Sequence, residues 1–368
     1  MSTKLSGTLI STLSPHLSLS KSRLETLAGL IICLVNARTV NLTHIASQFS
    51  SSARTSSSYR RLQRFFQYVR LDEDWLARSV IKLLNINPPW ILCLDRTNWK
   101  IGRRDVNILM LAVVTRRVRI PLMWIMLDKQ GTSNSLERIA LMQRYLDIFG
   151  PRSIRYFLAD REFIGPEWIM FLLKNKVLFS IRLKAKMYVT FDDGRTYLLK
   201  SLLRKRGMGA YLKNRAGRFS TMPASAGTPL RFAAKRLKDG ALLIIVTNGN
   251  PGKALRIYKQ RWFIECLFGD SKTRGLNMED THMTDLGKLS LLIAIVTLAM
   301  VWAYACAKAK MGRQQINKAK HGYLRKSWFR TGFDQLRNWI FRQPDKAAAI
   351  WKSLWPKRQS SLEFNRVV

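Results

Sequence analysis

A chain of 368 residues, 47% of them hydrophobic, is too long for one small core and long enough for two or three domains. Its 63 Lys and Arg against 23 Asp and Glu give a net charge of +40, so a compact fold repels itself and calls for a polyanionic partner, nucleic acid before an anionic membrane surface. The cysteines (Cys33, Cys93, Cys266, Cys306) are scattered and only four histidines are present, which argues against a zinc site, a disulfide framework or a histidine triad; the N-terminus lacks the apolar core of a signal peptide, so a reduced, cytoplasmic protein is expected.

Residues 1 to about 85 read as helical. Ser20 to Val35 carries apolar residues at helical spacing, and Asn41 to Phe49 follows with Asn41 or Thr43 as the cap. The segment SSARTSSSYRRLQRFFQYVR then interleaves Arg54, Arg60, Arg61, Arg64 and Arg70 with Tyr59, Phe65, Phe66 and Tyr68. Aromatics at that spacing hold a helix on a core while its arginines reach phosphates. Two helices joined by a polar turn fit a helix-turn-helix-like DNA reader, and they fit a basic bundle without base readout equally.

From Pro88 the pattern changes to strands: 90–97 ending beside Asp95, 106–116, and 120–128 ending at Asp128. Residues 135–149 predict an amphipathic helix capped by Ser135, 153–160 a strand closing on Asp160, 165–176 a helix opened by proline, and 177–185 another strand. This order predicts an α/β fold, a mixed sheet covered by helices. Residues 186–240, rich in Lys, Arg and Gly (Gly207, Gly209, Gly217, Gly227), read as a basic, turn-rich β insertion. A core strand at 241–248 and a helix from Pro251 follow. The charge-free run LSLLIAIVTLAMVWAYACA (289–307) meets the length criterion for a membrane helix, but in so basic a chain it is read as a core helix, with a detergent-dependent span as the alternative. A basic helical region with Trp328, Trp339, Trp351 and Trp355 closes the chain.

The most distinctive stretch is YKQRWFIECLFGDSK (258–272). Read as one helix, Tyr258, Arg261, Glu265 and Lys272 fall within a sector roughly 60° wide, with Trp262 beside it. One carboxylate among an arginine, a lysine and a tyrosine suits an anionic ligand, or a metal with one; a solvated face with a Glu/Arg pair worth about 0.3 kcal/mol is the plain alternative. Two aspartates at the ends of core strands, with a glutamate on a later helix, are the ligands a two-metal phosphoryl-transfer site requires. Glu162, two residues after Asp160, reads as a surface acid, and Asp128 is the rival strand-end ligand.

Asp95, Asp160 and Glu265, with Tyr258-x2-Arg261-x3-Glu265-x6-Lys272, resemble the DDE transposases of bacterial insertion sequences, and among them the family that includes the transposon-five and transposon-ten transposases. The resemblance covers about residues 20 to 310. It implies a ribonuclease-H-like catalytic core (86–185 and 241–310) interrupted by a β-rich insertion (186–240), preceded by a helical DNA-binding domain (1–85) and followed by a basic helical region (311–368). It implies a Mg2+-dependent endonuclease and strand-transfer enzyme, with two ions on Asp95, Asp160 and Glu265 and Mn2+ able to substitute. Arg261 and Lys272 would hold DNA phosphates with Tyr258 in support, and Trp262 would stack on a displaced base. The partners implied are double-stranded DNA, as terminal inverted repeats and target, and a second copy of the chain in a homodimer, with no membrane; the implied place is the nucleoid. The family's other base-stacking tryptophan lies in the insertion, and here no Trp stands between Trp168 and Trp262. Two rivals are a ribonuclease-H-like nuclease without strand transfer and a catalytically inactive DNA-binding relic.

Overall fold

A computed structural model of the chain describes residues 3–49, 53–191, 193–203, 211–220, 230–317, 319–320 and 324–355. The insertion glycines Gly207, Gly209 and Gly227 lie outside these, as do residues 356–368.

Five helices open the chain: α1 (Thr3–Leu13), α2 (Lys21–Ala37), α3 (Leu42–Ser47), α4 (Thr55–Tyr68) and α5 (Glu73–Leu84). The α2 helix buries almost every residue from Leu24 to Val35, so it forms the centre of this layer. Asn41 caps α3, its side chain accepting from the Thr43 N–H. The α4 helix is strongly two-faced: Ser58, Leu62, Phe65 and Phe66 are buried, while Arg60, Gln63, Arg64 and Gln67 are exposed.

The sheet follows, with β1 (Trp90–Ile101), β2 (Arg104–Val114), β3 (Arg119–Met126), α6 (Ser135–Phe149), β4 (Ile154–Ala159), α7 (Pro166–Lys174) and β5 (Phe179–Arg182). The cap of α6 is Asn134, one residue earlier than Ser135: its side chain accepts from the Glu137 N–H while Glu137 reaches back to the Asn134 N–H, a capping box that serine at 135 is placed too late to make. Strands β6 (Tyr188–Phe191), β7 (Thr196–Leu198), β8 (Tyr211–Phe219), β9 (Leu230–Arg236) and β10 (Leu242–Thr247) complete one ten-stranded sheet in the order β3-β2-β1-β4-β5-β10-β9-β8-β6-β7. Strands β6 to β9 are joined to the rest through the antiparallel β9–β10 ladder. The β2 strand is buried without a break from Val106 to Val114, as a strand covered on both faces must be.

After β10 come α8 (Pro251–Tyr258), a 3-10 turn (Lys259–Arg261), α9 (Trp262–Ser271), α10 (Leu286–Met311), α11 (Trp328–Arg342) and α12 (Pro344–Leu354). The long α10 is apolar enough to cross a membrane, yet 89% of its most hydrophobic stretch is buried inside the protein, against α2, α5, α11, α12 and β3. Its role in this fold is that of a core helix. The C-terminal helices return to the start of the chain: α12 packs on α1, and the Trp351 indole donates to Thr12 Oγ1 at 2.6 Å.

Candidate active site

Strands β1 and β4 run parallel with Leu94 and Ala159 as register partners. The next residue on each is an aspartate, so Asp95 and Asp160 follow the last paired residues of adjacent parallel strands. The β4 strand stops there, while β1 continues to Ile101 paired with β2 alone, Asp95 lying opposite Met110. Asp95 is thus inside its strand but at the end of the parallel ladder.

The stretch from Tyr258 to Lys272 is not one helix. It breaks at the 3-10 turn, and α9 restarts at Trp262 to pack on β1, β2 and β3. The break changes the geometry read from a single 100° wheel. Tyr258, at the end of α8, donates its hydroxyl to Asp160 Oδ1 at 3.3 Å. The Arg261 guanidinium donates to Asp95 Oδ2 at 3.1 Å and to Glu265 Oε1. All three acids are therefore tethered to one short segment of chain. Lys272 lies beyond α9 and points elsewhere: its Nζ pairs with Glu279 Oε1 at 2.7 Å, donates to the Asn98 carbonyl at 3.3 Å and sits 5.4 Å from the centre of the Trp99 ring.

Electrostatics bind the group together. Burial pushes the Asp95 carboxyl up to about 6. The Arg96 N–H, 2.8 Å from Asp95 Oδ1, and the Arg261 charge pull it back, while Glu162 and Asp160 push it further up. Burial wins although Asp95 holds an ion pair, because removing a carboxylate from water costs more than one guanidinium returns. Burial works against the Arg261 charge too, but Tyr258, Asp95, Asp160 and Glu265 outweigh it and hold that group firmly protonated. Tyr258 is pushed up by burial and then by Asp160, so its phenol stays a hydrogen-bond donor.

Trp262 is 61% exposed at the start of α9. Arg54, Arg60 and Arg64 are exposed on α4 and its entry. Arg61 is turned inward instead: it donates to Thr26 Oγ1 at 2.7 Å and to the Ser22 carbonyl at 3.0 Å, and pairs with Glu25 at 3.3 Å. Asp128 is exposed after β3, and none of the three acids is joined to it. Glu162 is more than a surface acid, for it pairs with Arg96 at 3.6 Å, and Arg96 also donates to Asn107 Oδ1 at 3.1 Å. The sequence carried one signal for this second layer, the adjacency of Arg96 to Asp95 and of Glu162 to Asp160; the pairing of Lys272 with Glu279 had none.

The family model described as a transposase DDE domain matches residues 86–302, a span that takes in Asp95, Asp160 and Glu265. The chain matches no curated protein. Among solved structures it is similar to the piggyBac transposase in a synaptic complex with hairpin DNA, at 10% identity and a TM-score of 0.46, over 97% of this chain and 84% of that one. With a family match over more than half its length, the chain belongs to the DDE-domain transposases.

Proposed function

We propose that this transposase cuts DNA at the ends of a transposon and joins the freed 3′ ends to target DNA by a cut-and-paste route, with one site for both steps. The observation that carries the reading is the convergence of Asp95 and Asp160, from adjacent parallel strands, with Glu265, all tethered through Tyr258 and Arg261. The signature Tyr258-x2-Arg261-x3-Glu265-x6-Lys272 supports membership of the insertion-sequence family of the transposon-five and transposon-ten enzymes. The order β3-β2-β1-β4-β5, three antiparallel strands and then two parallel ones, supports a ribonuclease-H-like core at 86–185 and 241–310. Residues 1–85 are then the DNA-binding domain, 186–240 the β insertion, and 311–368 a basic helical region.

The donor set suits divalent magnesium: three carboxylates are hard oxygen ligands of the kind Mg2+ selects. Their charge balance points the same way, since three acids surround a single guanidinium. Among the described residues no three acidic, histidine or cysteine groups stand close enough as arranged to hold an ion, and Arg261 stands between Asp95 and Glu265. Asp95, Asp160 and Glu265 would hold two ions, Mg2+ or Mn2+ in its place, which when bound would activate the attacking oxygen and neutralise charge on the scissile phosphate. The chain's own groups do the rest. Arg261, released from a carboxylate, holds a phosphate next to the acids; Lys272 does so further along β1; Tyr258 keeps Asp160 oriented by its hydroxyl. Trp262, solvent-facing, stacks on a base, a contact worth about 1–3 kcal/mol. Cutting and joining are both in-line displacements at a phosphodiester, so one arrangement serves both. The partners are terminal-repeat and target DNA and a second copy of the chain, in the bacterial cytoplasm on the nucleoid.

The test uses purified protein, Mg2+ and linear DNA carrying the element's own ends. Wild type should cut and then join, whereas Asp95→Ala, Asp160→Ala and Glu265→Ala should do neither yet still bind the ends. Cutting retained in one variant removes that residue from the site. Cutting without joining leaves a nuclease, and binding without either, in wild type and variants alike, leaves a DNA-binding relic.

A further inference from the structure

A cleft of about 500 Å³ lies away from the acidic cluster, between the helical layer and the loop that leads into α10. Its walls are α3 and α4 on one side and residues 282–288 on the other. Two hydrogen bonds fasten the walls together. Thr39 Oγ1 donates to Asp280 Oδ2 at 2.5 Å, and Asn41 Nδ2 lies 3.3 Å from His282 Nε2. The cleft is therefore part of the folded architecture rather than a gap between loose segments.

The lining is chemically specific. Tyr59 and Tyr68 supply aromatic surface, and Tyr68 is 66% exposed, an aromatic ring facing water from the mouth of the cleft. Gln63 and Gln67, one turn apart on the exposed face of α4, offer amide donors and acceptors. Arg64 and Lys288 place a cation on each wall. Asp285 is the acid of the lining, and its carboxylate is engaged as the cap of α10, accepting from the Lys288 N–H at 2.8 Å.

We propose that this cleft receives one unpaired nucleotide of the DNA, its base stacked on Tyr68, its edge met by the Gln63 and Gln67 amides, and its phosphate held between Arg64 and Lys288. The volume falls within the roughly 300–1,000 Å³ of small-molecule sites, too narrow for a duplex and ample for a nucleotide. An aromatic ring beside paired cations is the arrangement by which single strands are held, the ring taking the base face and the cations the backbone. The overall charge of +40 favours a polyanion over a neutral ligand. The inference rests on the DNA-processing reading above, but it concerns a different place in the molecule and has its own readout.

The test uses full-length protein, a fluorescein-labelled oligothymidylate, and the same oligomer with one 5-iodouracil for photocrosslinking. Tyr68→Ala should weaken single-strand binding about tenfold and change binding of a duplex of equal length by less than about twofold, while Tyr68→Phe stays near wild type. Because Tyr68 is exposed, its removal leaves the core intact. In wild type the crosslinked peptide should contain Tyr59, Tyr68 or His282. Equal losses on single strand and duplex, or crosslinks confined to Trp262, would overturn the assignment. Loss of cutting and joining with the cleft crosslink preserved would count against the transposition reading alone, and a missing cleft crosslink in protein that still cuts and joins would count against the cleft alone.

Discussion

Asp270 shares α9 with Glu265 but belongs to a different set of charges. It lies 3.8 Å from Arg119 of β3, and Arg119 in turn sits over the Phe263 ring. Burial pushes its carboxyl up to about 6, against the pull of Arg119 and Arg274. A carboxyl raised on folding binds protons in the native state that the unfolded chain has already lost. Native stability therefore falls as pH rises from about 4 through 6 and stays low above that. Asp270→Asn removes this cost. Thermal unfolding of the variant should converge with wild type near pH 4 and exceed it above pH 6, by on the order of 3 kcal/mol. A gap independent of pH would show that Asp270 is held charged. Arg61 makes a second residue-scale case. Its position on a basic helix suggested a phosphate contact, but its guanidinium is spent on Thr26, Ser22 and Glu25 of α2. Arg61→Ala should lower the melting temperature and leave the salt dependence of DNA binding unchanged. Arg60→Ala or Arg64→Ala should each flatten that slope by about 0.9 per phosphate lost.

At the scale of elements, α10 and α11 approach so closely that a side chain cannot be added between them. A Cβ built on Gly332 would stand 1.9 Å from the Ala303 carbonyl oxygen and 2.8 Å from the Ala307 Cβ, and backbone cannot yield as a flexible side chain does. Gly332→Ala should cost about 2–4 kcal/mol in urea unfolding. The counterpart is Gly7 in α1, where a Cβ meets nothing within 4 Å, and Gly7→Ala should stabilise by about 0.5–1 kcal/mol. Helix α9 shows what periodicity does and does not reveal. The sequence 258–272 reads as one helix because no Gly, Pro or β-branched run interrupts its first two turns. The chain nevertheless tightens to a 3-10 turn at Lys259–Arg261, which lets Tyr258 reach Asp160 while Arg261 reaches Asp95 and Glu265. Tertiary hydrogen bonds, which no local pattern encodes, set that break. The same reason placed Lys272 wrongly on the shared face, since its partner Glu279 arrives from a later turn.

At the scale of the whole molecule, the alternation of strands and helices from 90 to 182 was readable because each element has its own period and its own punctuation, such as Pro166 opening α7. Asp160 was readable as a residue just past a strand end, whereas Asp95, read the same way, lies inside β1, which continues to Ile101. That the two follow register partners on adjacent parallel strands was not readable, because register between β1 and β4 depends on the packing of a crossover through α6, far apart in sequence. The ten-stranded continuity of the sheet was likewise hidden, for pairing between β9 and β10 is a property of the assembled sheet rather than of either strand. On the proposed function, Asp95, Asp160 and Glu265 together hold the two catalytic ions when DNA is present. Iron-mediated cleavage of the polypeptide tests it most directly: Fe2+ replaces Mg2+ on the DNA complex, and peroxide with ascorbate cuts the chain beside the bound ion. Cuts are expected next to residues 95, 160 and 265 in wild type and at none of them in Glu265→Ala. Cuts at one of these positions without the others, or a pattern unchanged by Glu265→Ala, would contradict it.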